Sequence, residues 1–95
     1  AIRRAFGEHL PLYSSTKGYT GHTISAAGAI EAIFTVQMLR GGWVAPSVNA
    51  SPVDPALEDY PPVLSSRDLD LKRAMSCSFG FGGTNAALVL SRHEA

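Results

Sequence analysis

Two short stretches hold most of the groups in this chain that can do chemistry. The first is S-S-T-K-G-Y-T-G-H at 14–22, which sets Lys17 and His22 five residues apart among hydroxyls and glycines. The second is G-F-G-G at 80–83, followed by Thr84 and Asn85. A neutral histidine donates one N–H to a developing negative charge, or accepts a proton. Glycines around one phenylalanine let a loop present a backbone N–H to a ligand while Phe81 stays mobile. Asn85 stands where it can pin that loop. Each feature also has a plainer reading: Lys17 as a solvated loop lysine, His22 as a capping side chain, the glycines as a tight turn.

The element that must position the first group follows it directly. From about Thr23 to Arg40 the pattern predicts a helix, closed by Gly41 and Gly42. His22 then sits at its N-terminal end, where the dipole and free N–H groups disfavour a protonated imidazole. A surface helix keeps a polar face, but this one is apolar nearly all round, from Ile24 through Ile30, Ile33, Phe34 and Val36 to Leu39. It reads as a buried helix. Short strands cover one face of it, and the remainder must come from elsewhere, so the chain is expected to be part of a larger polypeptide or assembly. Glu31 is the one charge in the helix interior. A carboxylate there needs a cation or a set of donors, and Lys17 is the nearest unexplained cation in sequence.

Around this core the chain reads as α/β. Residues 1–6 look like the last turns of a helix stopped at Gly7. Residues 12–15 read as a strand after Pro11, 43–46 as a short strand or extended exit, and 63–66 as another short strand. Between them, 47–62 carries Pro52, Pro55, Pro61 and Pro62 and reads as a surface loop. Residues 73–79 and 84–91 are two strands joined as a hairpin by G-F-G-G.

Composition bounds the rest. Ninety-five residues make at most one small domain, and 45% hydrophobic with 17% charged residues is globular. Eight basic and eight acidic residues cancel, which predicts no nucleic-acid partner and no membrane surface. His9, His22 and His93 are too far apart to suggest a metal site by spacing. The single cysteine, Cys77, excludes an internal disulfide framework and fits a reducing, cytoplasmic compartment. It lies in strand-like M-S-C-S-F with no helix N-terminus after it to activate a thiolate, so it reads as structural. The chain starts on A-I-R-R-A-F-G with no signal peptide and no cap, which reads as a cut point inside a larger protein.

Together, S-S-T-K-G-Y-T-G-H-T-I-S-A-A-G-A-I-E-A-I and S-F-G-F-G-G-T-N-A-A-L-V-L resemble the C-terminal part of the β-ketoacyl-[acyl-carrier-protein] synthases, the condensing enzymes of fatty-acid and polyketide synthesis. The resemblance runs over nearly the whole chain. It implies a C-terminal portion of the thiolase-like fold, layered α/β/α/β/α, here one buried helix with a mixed sheet ending in a β-hairpin. It implies that residues 1–95 are a single partial domain lacking the nucleophile-bearing N-terminal part. In such enzymes an acyl chain is loaded on a cysteine, malonyl-carrier protein is decarboxylated, and the carbanion attacks the acyl thioester. His22 resembles the second catalytic histidine, Lys17 the active-site lysine, and Glu31 its salt-bridge partner. Phe81 resembles the gating phenylalanine whose backbone N–H completes the oxyanion hole, with Gly80, Gly82 and Gly83 giving the loop its freedom.

The resemblance further implies acyl carrier protein and the rest of the synthase as partners, a homodimer of the full protein, and no cofactor beyond the carrier's phosphopantetheine. Neither the nucleophilic cysteine nor the first histidine, in an H-G-T setting, occurs here. The chain alone is therefore expected to be inactive. Three other readings compete, of which a free-standing small domain that only binds a partner is opposed by the all-round apolar helix. A thiolase shares the fold, but G-H-T-I-S lacks the proline of that family's G-H-P, and Cys77 does not lead straight into glycines. A non-catalytic chain-length-factor-like partner keeps the fold, but the retained Lys17 and His22 argue against it. Acyl chain length, a fatty-acid or polyketide role, and the parent's nucleophile are not legible in these residues.

Overall fold

A computed structural model describes residues 1–93. The backbone runs through helix α1 (Ile2–Phe6), helix α2 (Lys17–Thr20), a 3-10 turn (Ile24–Ala26), helix α3 (Ala27–Gly41) and strand β1 (Trp43–Val44). A second 3-10 turn (Pro55–Leu57) and strands β2 (Arg67–Asp68), β3 (Arg73–Phe79) and β4 (Asn85–Ser91) follow. The helices stop where glycine permits. Gly7 turns to φ +63° after α1, and Gly42 takes the left-handed conformation after α3 with its N–H on the Met38 carbonyl at 2.9 Å. The turn at Pro55 begins on Asp54, whose side chain accepts the Ala56 N–H at 2.9 Å.

The strands form two separate antiparallel pairs. In one, Trp43 faces Asp68 and Val44 faces Arg67. In the other, β3 and β4 pair from Arg73 opposite Ser91 to Phe79 opposite Asn85. The expected mixed sheet is thus two antiparallel pairs among the described residues. The expected strands at 12–15 and 63–66 do not form. Tyr13 accepts one bond, from the Val63 N–H at 2.9 Å, and the Val63 carbonyl accepts from the Ser47 N–H at 2.8 Å. These are single links rather than a ladder, because Pro61 and Pro62 remove the donors that would extend it. Pairing with β1 begins only at Arg67.

The expected 23–40 helix becomes regular only at Ala27, because Ile24 holds φ +57° and breaks the helical run. The segment read as a loop at 17–20 is one helical turn. Gly18 suits it for a reason other than flexibility: a methyl there would sit 2.6 Å from the Val48 carbonyl oxygen.

The core is small. Leu39, Val44, Ala45 and Val63 are its buried apolar residues, gathered where the C-terminal half of α3 meets β1 and the 60–63 segment. The hairpin packs on α3 from one side. Elsewhere the helix read as buried is bare in this chain, with Ile33 57% exposed, and the hairpin leaves Val89 61% exposed. The chain presents 7186 Å² to solvent, against about 5,200 Å² for a compact monomer of this mass. No described helix is long and apolar enough to cross a membrane.

Candidate functional site

The sequence-selected groups converge on the N-terminal end of α3. Lys17 opens α2, held there by its own N–H on Ser15 Oγ at 3.2 Å, while the Ser15 N–H reaches Ser47 Oγ at 2.9 Å. From that anchored turn the Lys17 ammonium forms an ion pair with the Glu31 carboxylate, in the second turn of α3. The Glu31 side chain is 18% exposed and that of Lys17 38%, so solvent only partly screens the pair. Thr35, one turn on, donates its hydroxyl to the Glu31 carbonyl at 2.8 Å and needs no other partner.

In the chain His22 lies between α2 and α3. It does not abut α3. It precedes the 3-10 turn, and its ring serves the backbone: Nδ1 accepts the Ile24 N–H at 3.0 Å. A nitrogen that accepts in this way carries no proton, so the neutral ring holds its proton on Nε2. The residue is exposed, and Nε2–H is the ring's remaining donor. The bond also satisfies one backbone donor at the start of the helical segment, as a cap does. The contact on Nδ1 does not use Nε2, so a capping role is compatible with donation from the other nitrogen.

The hairpin brings the second stretch to this end. A methyl on Gly28, in the first turn of α3, would stand 3.5 Å from Ser78 Oγ near the end of β3. The loop that follows β3 is thereby placed beside the start of α3. It closes through the Gly80 N–H on the Thr84 carbonyl at 2.7 Å and the Gly83 N–H on the Gly80 carbonyl at 3.2 Å. Gly82 has φ +89° at the third position of that turn, as a type II turn requires, and Gly83 has φ +91°. Gly80 accommodates the close Thr84 carbonyl, which a methyl would meet at 3.0 Å. Among the described residues neither turn bond uses the Phe81 N–H, and the Phe81 side chain stands fully exposed. Asn85 opens β4 opposite Phe79, so it borders the loop through strand pairing.

Cys77 pairs with Ala87 in mid-strand and is exposed. Sequence reasoning missed Ile24, whose N–H orients His22. Its residue type gave no signal, since β-branched residues avoid positive φ.

Comparison with known proteins gives a consistent result. The family model for the β-ketoacyl synthase C-terminal domain matches residues 1–51. The chain is 47% identical over 95 residues to 3-oxoacyl-[acyl-carrier-protein] synthase 1 of Haemophilus influenzae, covering 99% of this chain and 23% of the relative. It is 46% identical over 92 residues to the protein of the same name from Escherichia coli strain K12, covering 97% and 23%. Among solved structures, a β-ketoacyl synthase from Burkholderia phymatum STM815 superposes with a TM-score of 0.83 at 42% identity, over 97% of this chain and 22% of that one. The chain thus spans under a quarter of the length of these relatives.

Proposed function

This chain belongs to the β-ketoacyl synthase family, and from that premise we propose that it forms one wall of the active site of a 3-oxoacyl-[acyl-carrier-protein] synthase. The observation that carries the reading is the His22 ring, with Nδ1 occupied by the Ile24 N–H and Nε2 left as the donor. In the proposed step the bond from the malonyl α-carbon to its carboxylate breaks and carbon dioxide leaves. The electron pair moves into the thioester, and His22 Nε2–H donates to the enolate oxygen that results. The α-carbon then attacks an acyl thioester on a cysteine supplied from outside these residues. The Phe81 N–H donates to the tetrahedral oxyanion, whose collapse expels the cysteine thiolate. Lys17, tied to Glu31, holds the turn that leads into His22.

Acyl carrier protein, the nucleophile-bearing part of the synthase and a second copy of the full protein are the proposed partners, in the cytoplasm. No cofactor is proposed beyond the carrier's arm. The test uses the full-length synthase bearing this segment. In His22→Ala, malonyl decarboxylation and condensation are expected to fall by about 100-fold or more, the usual cost of one oxyanion donor. Loading of the nucleophile by acyl thioester should survive. Undiminished decarboxylation in this variant would remove the proposal, and a wild-type protein that decarboxylates without condensing would point to the non-elongating partner instead.

A further inference from the structure

Helix α2 is four residues long, buries none of them, and receives no side-chain bond from its N-cap, Thr16. A single turn of that length does not hold its own shape. Yet it carries Lys17, whose ammonium must meet Glu31 on another element. The turn is fixed from outside instead, by Ser47 and Val48. The Lys17 N–H donates to Ser15 Oγ at 3.2 Å, and the Ser15 N–H donates to Ser47 Oγ at 2.9 Å. Val48 lies against the turn at Gly18, where a methyl would stand 2.6 Å from the Val48 carbonyl oxygen.

Ser47 is the joint of this arrangement. Its own N–H donates to the Val63 carbonyl at 2.8 Å, and the Val63 N–H donates to the Tyr13 carbonyl at 2.9 Å. Val63 is 3% exposed, so the joint is anchored in the core. Two residues before Ser47, the buried Ala45 donates its N–H to Met38 Sδ at 3.3 Å. Met38 stands two turns along α3 from Glu31. The path from Met38 through Ala45, Ser47, Ser15 and Lys17 to Glu31 thus begins and ends on α3. Within it, the Ser47 hydroxyl links the segment leaving α3 to the residues that lead into α2.

We infer that Ser47 is a positioning residue for Lys17: its hydroxyl ties the turn that carries the ammonium to the same helix that carries Glu31. The consequence for catalysis rests on the function proposed above, whereas the placement of Lys17 does not. Without Ser47 Oγ the Ser15 N–H loses its acceptor, and Ser15 no longer fixes the start of α2. The ammonium then spends part of its time away from Glu31, and small displacements within an active site lower the rate.

The test again uses the full-length synthase, with rates taken per site that loads acyl thioester, so that misfolded protein is not counted. In Ser47→Ala the kcat for malonyl decarboxylation should fall about fivefold at unchanged KM, the factor associated with one hydrogen bond. Ser47→Thr keeps the hydroxyl and should restore the rate. The coupling between Lys17 and Glu31 is read from urea midpoints of Lys17→Met, Glu31→Gln and the double variant, and it should shrink when the set is repeated with Ser47→Ala. Where Ser47→Ala does not fold, Ser15→Ala removes the acceptor of the Lys17 N–H and should weaken the same coupling. Coupling left unchanged by the alanine variants overturns the inference, as does a kcat lost equally in Ser47→Ala and Ser47→Thr. Weakened coupling with a full rate of decarboxylation would uphold the placement and refute the part given to Lys17 in the active-site wall.

Discussion

Separating this chain from the rest of its protein should leave it unable to persist as a folded monomer. The magnitude follows from its surface. It exposes 7186 Å², about 2,000 Å² more than a compact protein of its mass. A standard protein interface removes about 800 Å² from each partner, so the surplus is more than twice what a separable complex buries. If a little over half of it is apolar, leaving it wet forgoes about 25–30 kcal/mol of burial as an upper bound. Whole domains are stable by only about 5–15 kcal/mol. Among the described residues no large side chain is fully buried, while Ile33 on α3 and Leu88 and Val89 on β4 stay open. Expressed alone, residues 1–95 should elute as aggregate or soluble oligomer with light-scattering detection. They should bind a hydrophobic dye and melt without a cooperative transition. Co-expression with the upstream part should give a dye-silent species. A monomer with one sharp thermal transition and no dye binding would refute the reasoning.

Other expectations concern the full-length protein. Lys17→Met strands a carboxylate that is 18% exposed, a situation between an open pair and a closed one, and should cost about 2 kcal/mol. Glu31→Gln should cost less because Lys17 can turn to solvent, and the double variant should cost less than the sum, as read from urea midpoints at constant m-value. Gly18→Ala forces a methyl to within 2.6 Å of a backbone oxygen and should cost about 1–3 kcal/mol in the same measurement. Tyr13 donates its hydroxyl to the Tyr60 carbonyl at 2.6 Å, and its pKa is raised above 10.0, first by burial and then by Tyr60, with Arg3 opposing. A raised pKa means the folded state holds the proton more tightly. The contribution is therefore complete below pH 10 and lost as pH rises through the folded value. Tyr13→Phe should flatten that alkaline loss in a series of melts from neutral pH to pH 11.

The hairpin was legible because two apolar strands and a glycine turn state their register locally, and β3 and β4 fall within a residue of the expected ranges. The Lys17–Glu31 link was legible for a different reason. A lone charge in an apolar helix must find a partner, whatever the fold. The failures share one cause. Whether 12–15 or 63–66 becomes a strand depends on what lies beside it, and only Tyr13 and Val63 link those segments. Residue types that suit a sheet do not create a neighbouring strand.

Ile24 shows the limit from the opposite side. Local preference sets an isoleucine firmly in a helix or strand, so extending the helix back to Thr23 was the natural reading. The chain departs from that preference at the residue whose N–H meets His22. Consistency across levels makes most of a fold readable, and the exceptions gather where chemistry imposes a geometry that propensity opposes. A histidine at a helix start could be recognised from types and spacing. The backbone contact on its ring could not, because that contact depends on one backbone dihedral two residues away.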